Sequence, residues 1–318
     1  MAIPASPGAP PSATSSPLAE EAATARGAMA NVVPILRHLL RSDDKSIFSD
    51  EIVSRVRGMF VDVARQLVIA LAEAAGHSEP EGWAHEAAHE LAHVLADNPG
   101  FLEHFHTLAL EWHWTGRLER NRGVDQVLSP LIQARMADPD GATSASAMNL
   151  LAAQARFCQN QRRMQMPLAE LPGDLIHIAL VTLRGHVGMD ASADAYAVIA
   201  ERSVRDQIDE ARGRLAQMGR VLDAMGDMAT AALDIDKAGV ALFFTALARG
   251  AGLSREAAIM AAIDSQLPRF VLALRACGLP PTAVSITALA FHPHANLPHG
   301  YAEITPAEAA ALLGEAAA

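Results

Sequence analysis

Glycine and proline divide the stretch from Gly239 to Pro281 into three segments, each with apolar residues at helical spacing. Gly252 suits the left-handed conformation that often follows a helix, and Pro268 suits a first helical turn. Helices this short are only marginally stable alone, so each must pack against its neighbours. The chain is therefore predicted to be all-α, with an irregular α-solenoid or HEAT-like stack of short helix pairs.

The composition agrees with close packing between helices. Of the 318 residues, 51% are hydrophobic but only 4% are aromatic, so aliphatic side chains and methionine must fill most of the core. This balance suits a helical core better than a β-sandwich.

The charge and the two cysteines limit the classes of partner and compartment. The net charge of −11 and the pI of about 5.6 oppose binding to nucleic acid or to an anionic membrane, both of which favour a basic surface. Cys158 and Cys277 each lie in an apolar helical pattern, which indicates reduced core thiols. We expect a cytoplasmic protein without a secretory signal or a membrane-spanning segment.

Three regions follow from the distribution of polar and apolar residues. Residues 1–28 are rich in Pro, Ala and Ser and predict a disordered tail. Residues 29–188 form an N-terminal helical region, and residues 189–318 form a C-terminal helical-repeat region. The boundary lies in the polar break from Gly185 to Asp190, after which the spacing predicts a charged amphipathic helix over Ile199–Met225.

A long amphipathic helix is predicted from Asp50 to Ala75. Its apolar residues share one face, as Val56, Phe60 and Leu67 illustrate. A stripe of this kind packs on the core of its own chain or forms the seam of a homodimer. Both interpretations stay open at the level of sequence.

The segment HEAAH, from His85 to His89, matches a pattern in which two histidines one turn apart bind zinc. In that reading Glu86 is the general base and a downstream glutamate, Glu111 or else Glu103, supplies the third ligand, which gives a zinc-dependent hydrolase. The pattern departs from the metzincin extension, because His93 follows only one turn after His89. On a helical projection the same segment also fits an ordinary surface helix. We therefore expect no bound metal or cofactor and keep the hydrolase as the alternative.

The segment ARFCQNQRRMQM contains one of the few basic clusters in this acidic chain. The cluster contains Arg156, Arg162 and Arg163. Of this segment, Gln159, Gln161, Arg162 and Arg163 are expected to face outward. Such a cluster is either an ordinary solvated face or a docking edge for an acidic partner or an anion. The three arginines are the candidate docking residues.

Two stretches, Phe157–Arg184 and Asp234–Leu279, resemble a domain-of-unknown-function family of helical-repeat proteins from alphaproteobacteria. The resemblance lies mainly within residues 150–290 and depends on packing patterns. It implies an α-solenoid-like scaffold in a bacterial cytoplasm. It implies no activity, cofactor or catalytic residue.

These observations predict a non-enzymatic helical scaffold that binds another protein, in regulation or assembly. The sequence shows no Gly-rich phosphate loop, nucleophile elbow or pair of catalytic carboxylates. Stacked helices present long grooves that suit partner helices. A homodimer through residues 50–75 is a further possibility.

Overall fold

The computed structural model describes Leu18, residues 50–188 and residues 191–315. Within these ranges the chain forms thirteen α-helices and four short 3-10 helices, and no strand. The prediction of an all-α chain is confirmed. The finer prediction of a HEAT-like stack stays a prediction.

The helices are numbered here in chain order. They are α1 (Asp50–Ala74), α2 (Pro80–Leu95), α3 (Pro99–Arg122), α4 (Pro130–Met136), α5 (Gly141–Arg162), α6 (Gly173–Val187), α7 (Ala191–Asp206), α8 (Arg214–Met225), α9 (Ile235–Ala251), α10 (Arg255–Ala261), α11 (Leu267–Ala276), α12 (Pro281–Phe291) and α13 (Pro306–Glu315). The 3-10 helices are Leu168–Glu170, Glu210–Arg212, Gly226–Leu233 and Asp264–Gln266.

The three helices expected between Gly239 and Pro281 are present as α9, α10 and α11. Gly252 follows α9 with φ 66°, a left-handed conformation that a residue with a Cβ rarely adopts. Ser254 begins α10, and its side chain accepts a hydrogen bond from the Ala257 amide. Local capping chemistry therefore sets these helix ends.

The single helix expected over Ile199–Met225 is wrong, because the chain breaks between α7 and α8. Asp209 accepts from the Ala211 amide and starts the 3-10 helix Glu210–Arg212. The next helix begins at Arg214, whose amide donates to Glu170 Oε2 at 3.1 Å. A contact between distant segments thus overrides the continuous helical spacing.

The central helix is α3, which packs against α1, α5, α9, α10 and α12. Near its middle, Trp114 lies 5.1 Å from Phe291, measured between ring centroids. Phe243, Phe244 and Phe270 also contact Phe291, at 5.1–5.6 Å. These side chains come from both predicted regions, 29–188 and 189–318, so the two regions share one hydrophobic core.

The apolar face of α1 lies in the core of its own chain. Phe60 is 2% exposed, and its ring contacts the Phe105 ring edge-on at 4.7 Å. Helices α2, α3 and α7 cover this face. The helix ends at Ala74, one residue before the expected end. A homodimer through residues 50–75 stays a prediction.

Three further expectations concern the tail, the thiols and the membrane. Within the predicted tail, residues 1–28, Leu18 is helical and 1% exposed, and the other tail residues lie outside the described ranges. Cys158 and Cys277 are free, and burial raises their thiol pKa values to about 11 and about 12.

Among the described helices, no single one is long and apolar enough to cross a membrane. One pair of segments, Arg255–Ala261 and Asp264–Ala276, is long and apolar enough when the two are taken together, but the pair is bent by 102°.

Candidate functional site: the two faces of α5

The outer face of α5 is exposed, and its side chains change from apolar to basic along the helix. Ala145, Met148 and Ala152 are exposed in its N-terminal half, at intervals of three and four residues. Arg156 continues the same row in the C-terminal half, and Arg163 continues it at the C-cap directly after the helix. The face therefore begins apolar and ends basic.

No acidic residue occurs between positions 141 and 169, although the chain contains 36 of them. Arg156, Arg162 and Arg163 are exposed, the last two as expected, and none has a carboxylate at ion-pair distance within the described residues. Arg162 donates instead to the Gln126 side-chain oxygen at 3.0 Å. The outer face is therefore a local positive strip on an acidic protein.

The inner face of α5 is polar as well as apolar. The expectation that Gln161 faces outward is wrong, because this residue is fully buried. The side-chain amide of Gln161 donates to Met59 Sδ at 3.4 Å, and the backbone carbonyl of Gln161 accepts a hydrogen bond from Arg55. These contacts connect the end of α5 to α1.

Beneath α5 lies a buried cluster of three charges from three helices. Arg214 donates from Nη1 and Nη2 to the two oxygens of Glu111, at 2.6 and 2.8 Å. Arg255 Nη2 lies 2.9 Å from Glu111 Oε1. Glu111 is fully buried and Arg214 is 3% exposed. The cluster joins α3 to the first residues of α8 and α10.

Arg214 also contacts the inner face of α5. Its Nη1 donates to Gln154 Oε1 at 3.1 Å, and its guanidinium carbon lies 3.6 Å from the ring centroid of Phe157. Gln154 then donates to the Gln126 carbonyl at 2.9 Å. Hydrogen bonds and a cation–π contact therefore fix α5 over the buried charges.

The environment sets the ionisation of this cluster. Burial alone would raise the pKa of Glu111, but the charges of Arg214 and Arg255 lower it to about 2. Burial opposes the charge of Arg214, yet its pairing with Glu111 holds its pKa above the usual value. The pKa of Arg255 falls, because burial and the nearby Arg214 outweigh its contact with Glu111.

At a nearby histidine, burial outweighs the surrounding charges and the ring stays neutral. Burial lowers the pKa of His104 to about 4, despite the nearby carboxylate of Glu256. The small cavity between His104, Gln161 and Arg214 has a volume of about 20 Å³, which fits one water molecule. Among the described residues, His104 Nε2 and Gln161 Oε1 have no hydrogen-bond partner. This interior site is too small for a substrate.

The residues of the zinc hypothesis do not form one group. His85 and His89 are exposed on α2 with ring centroids 6.1 Å apart, and His89 Nδ1 is hydrogen-bonded to the His85 carbonyl. Glu86, the expected base, lies in the same helix. Glu111, the expected third ligand, is buried on α3 and has Arg214 and Arg255 as its partners. Within the described ranges, no three or more His, Cys, Asp or Glu side chains are arranged to hold a metal ion.

The sequence analysis missed Arg214 and Arg255. Each is the first residue of a helix, where an arginine on an amphipathic pattern is normally solvent-exposed. Their common partner, Glu111, lies 103 positions from Arg214. No local spacing could have indicated that contact.

Comparison with known protein families, with curated proteins and with solved structures gives no match. The resemblance to an alphaproteobacterial helical-repeat family therefore stays a prediction. The arguments about function depend on the geometry of the chain itself.

Proposed function

We propose that this chain is a non-enzymatic helical scaffold that binds an acidic segment of another protein along the outer face of α5. The observation that carries the proposal is the exposed strip of Arg156, Arg162 and Arg163, which no described carboxylate neutralises. A positive strip on a chain of net charge −11 favours a partner of opposite local charge.

The dimensions of the strip suit a helical partner. At 1.5 Å per residue, the distance along α5 from Met148 to Arg163 is about 22 Å, or four helical turns. A partner helix with apolar residues at one end and Asp or Glu at the other would contact Met148 and Ala152 as well as the arginines. Docking of an amphipathic helix on a helical surface is a common recognition mode.

The buried cluster supports the proposal because it fixes α5 before any partner binds. Arg214 contacts Gln154 and Phe157, which are buried on the inner face of α5, whereas Arg156 and Arg162 on the same helix are exposed. A surface that is already ordered loses less conformational freedom on binding. The proposed docking face is therefore preorganised.

The proposal includes the finer architecture and the compartment. Sequential helices such as α1 and α2, or α6 and α7, pack against each other, which is consistent with a HEAT-like arrangement of helix pairs. Two free cysteines are consistent with a reducing bacterial cytoplasm. The zinc-dependent hydrolase has less support, because Glu111 is engaged by two arginines.

A model peptide tests the proposed docking face. The probe is a fluorescein-labelled amphipathic helix of about 15 residues, which matches the strip, with Leu at one end and Glu at the other. Fluorescence anisotropy at low salt should show saturable binding to the wild type. The double variant Arg156→Glu/Arg163→Glu should lose at least about tenfold in affinity, and salt should weaken wild-type binding.

The control variant is Arg202→Glu, which reverses an exposed arginine on α7 and should bind the peptide as the wild type does. Equal affinity of the wild type and the double variant would refute the docking face. Stoichiometric zinc that is lost in His89→Ala, with a turnover that is lost in Glu86→Gln, would replace the scaffold with the hydrolase.

A further inference from the structure

Two histidines lie side by side on the exposed face of α2. His85 and His89 are both exposed, and a spacing of four residues corresponds to a rise of about 6 Å and a turn of about 40°, which places them on one flank of the helix. Their ring centroids are 6.1 Å apart, and their ring planes meet at 76°. Two imidazoles one turn apart on a helix are a common pair of zinc ligands.

A hydrogen bond leaves the outer nitrogen of His89 free for a metal ion. Its Nδ1 lies 3.2 Å from the backbone carbonyl oxygen of His85. Because a carbonyl oxygen can only accept, Nδ1 carries the hydrogen, and Nε2 of the neutral ring keeps its lone pair. Metal-binding histidines usually donate their other ring N–H in this way. The His89 side chain is exposed, so an ion reaches it from solvent.

The distance between the two rings suits one shared ion. With Zn–N bonds of about 2.0–2.1 Å, two imidazole centroids on a tetrahedral zinc ion lie about 5 Å apart. The separation of 6.1 Å between His85 and His89 is only slightly larger. A small rotation of the exposed side chains about their χ angles closes the difference, so the helix backbone does not have to move.

The pair is half of a tetrahedral ligand set. Structural zinc sites have four protein ligands. Within the described ranges, no three or more His, Cys, Asp or Glu side chains could hold an ion together, and Glu111 is held by Arg214 and Arg255. The two missing ligands must therefore come from another molecule. The same pair on a second copy, related by a two-fold axis, supplies two imidazoles in equivalent positions.

We propose that one zinc ion joins two copies of this chain through His85 and His89 of each copy. The metal, and not the protein surface, holds this dimer. Helix α2 has 16 residues and is about 24 Å long, so a contact along it buries far less than the roughly 800 Å² per partner of a stable interface. A net charge of −11 on each copy opposes association, and the dication offsets this repulsion at the shared site.

Gly82 leaves room for the second copy. It is exposed and lies one turn before His85 on the same flank of α2. Apart from its chain neighbours and its own helix backbone, the described residues bring only Glu79 Oε2, at 3.9 Å, within 4 Å of the place that a Cβ atom would take. Two α2 helices can therefore approach each other closely beside the histidines.

This site differs from the catalytic zinc site that the sequence suggests, because it includes neither a third ligand from α3 nor a general base. The sequence led us to expect no bound metal, and a single chain offers only half of the proposed site. The dimer requires one zinc ion per two chains and no turnover. It does not involve the arginines of the docking face on α5.

Light scattering after size exclusion tests the proposal on the full, untagged chain. In EDTA the chain should be a monomer of 33.6 kDa. With zinc chloride its mass should double, and metal analysis should find one zinc ion per two chains. His85→Gln and His89→Gln should stay monomeric at the same zinc concentration and bind zinc at least about a hundredfold more weakly, because each variant leaves one imidazole per chain.

Two exposed histidines provide matched controls. His177→Gln, on α6, and His93→Gln, one turn beyond His89, should dimerise with zinc as the wild type does. Loss of the dimer in His93→Gln would refute the assignment to His85 and His89. A wild type that stays monomeric in zinc, one zinc ion per monomer, or a dimer that persists in EDTA overturns the proposal. The variant Arg156→Glu/Arg163→Glu should still dimerise, which separates this test from that of the docking face.

Discussion

Arginines lie on both sides of α5, and they differ in how their charge is balanced. On the inner side, Arg214 is buried, the side chain of Arg255 is 11% exposed, and both contact the carboxylate of Glu111. On the outer side, Arg156 and Arg163 are exposed, with no carboxylate at ion-pair distance in the described parts of the chain. Burial of a charge requires a partner inside the chain, whereas solvation removes that requirement. The outer arginines are consequently available to another molecule, and the inner ones are not.

The first and largest test removes the shared carboxylate. We expect Glu111→Gln to lower the free energy of unfolding by about 3–5 kcal/mol, because two buried guanidiniums lose their counter-charge. Urea unfolding followed by circular dichroism measures the change. Glu90→Gln, on the exposed side of α2, serves as the control and should stay within about 0.5 kcal/mol of the wild type.

The same comparison is sharpened by removing all three buried charges together. The triple variant Glu111→Leu/Arg214→Met/Arg255→Met should recover much of the stability that Glu111→Gln loses, because no unpaired charge is left inside. If Glu111→Gln unfolds at the same urea concentration as the wild type, the buried cluster does not hold the helices together.

The second test uses pH on two buried histidines whose pKa values are set mainly by burial. Burial lowers the pKa values of His104 and His106 to about 4 in the folded chain, from about 6.5 when unfolded. The unfolded state therefore binds protons first, and stability is full above pH 6.5 and falls as pH drops towards 4. The slope should be about 1.4 kcal/mol per pH unit for each histidine.

Urea unfolding at several pH values between 4 and 7 measures this slope. His104→Gln should remove about half of the contribution of the two histidines, and the double variant with His106→Gln should remove all of it. A slope that is the same in the wild type and the double variant would show that these two imidazoles do not control it.

The third test concerns the close approach of α1 to the end of α5. A Cβ atom on Gly58 would lie 2.7 Å from Met164 Cβ and 2.8 Å from the Met164 carbonyl. We expect Gly58→Ala to destabilise the chain by about 1–3 kcal/mol, more than alanine gains as a helix former. Thermal unfolding measures it.

Gly185 in α6 provides the matched control, because nothing lies within 4 Å of an added Cβ. Gly185→Ala should be neutral or stabilise the chain by up to about 1 kcal/mol. The prediction for Gly58 is refuted if both alanine variants melt at or above the wild-type temperature.

The smallest expected effect is on the outer side of α5. Arg156→Gln and Arg163→Gln should each change the free energy of unfolding by less than about 0.5 kcal/mol, because both side chains are solvated. Arg214→Gln, measured beside them in urea, should be strongly destabilising because it strips Glu111 of its bidentate partner. If Arg214→Gln changed the free energy of unfolding no more than Arg156→Gln and Arg163→Gln do, the inner arginine would not stabilise the fold more than the outer ones.

The sequence predicted the parts of the molecule that local chemistry controls. Ser254 and Gly252 set helix ends through contacts within a few residues, and both were expected from their types and positions. The exposure of Arg162 and Arg163 followed from helical spacing beside buried Phe157 and Cys158. The all-α class followed in the same way.

The sequence by itself thus determined the all-α class, the helix ends at Gly252 and Ser254, and the exposed basic residues of the strip. Only the tertiary structure decided that Gln161 is buried, that the chain breaks before Arg214, and that Glu111 serves two arginines. It also paired His292 with Asp264. Capping and periodicity act within one or two turns, whereas the partner of a buried polar group depends on which helices pack together. A contact between residues about a hundred positions apart has no local signature.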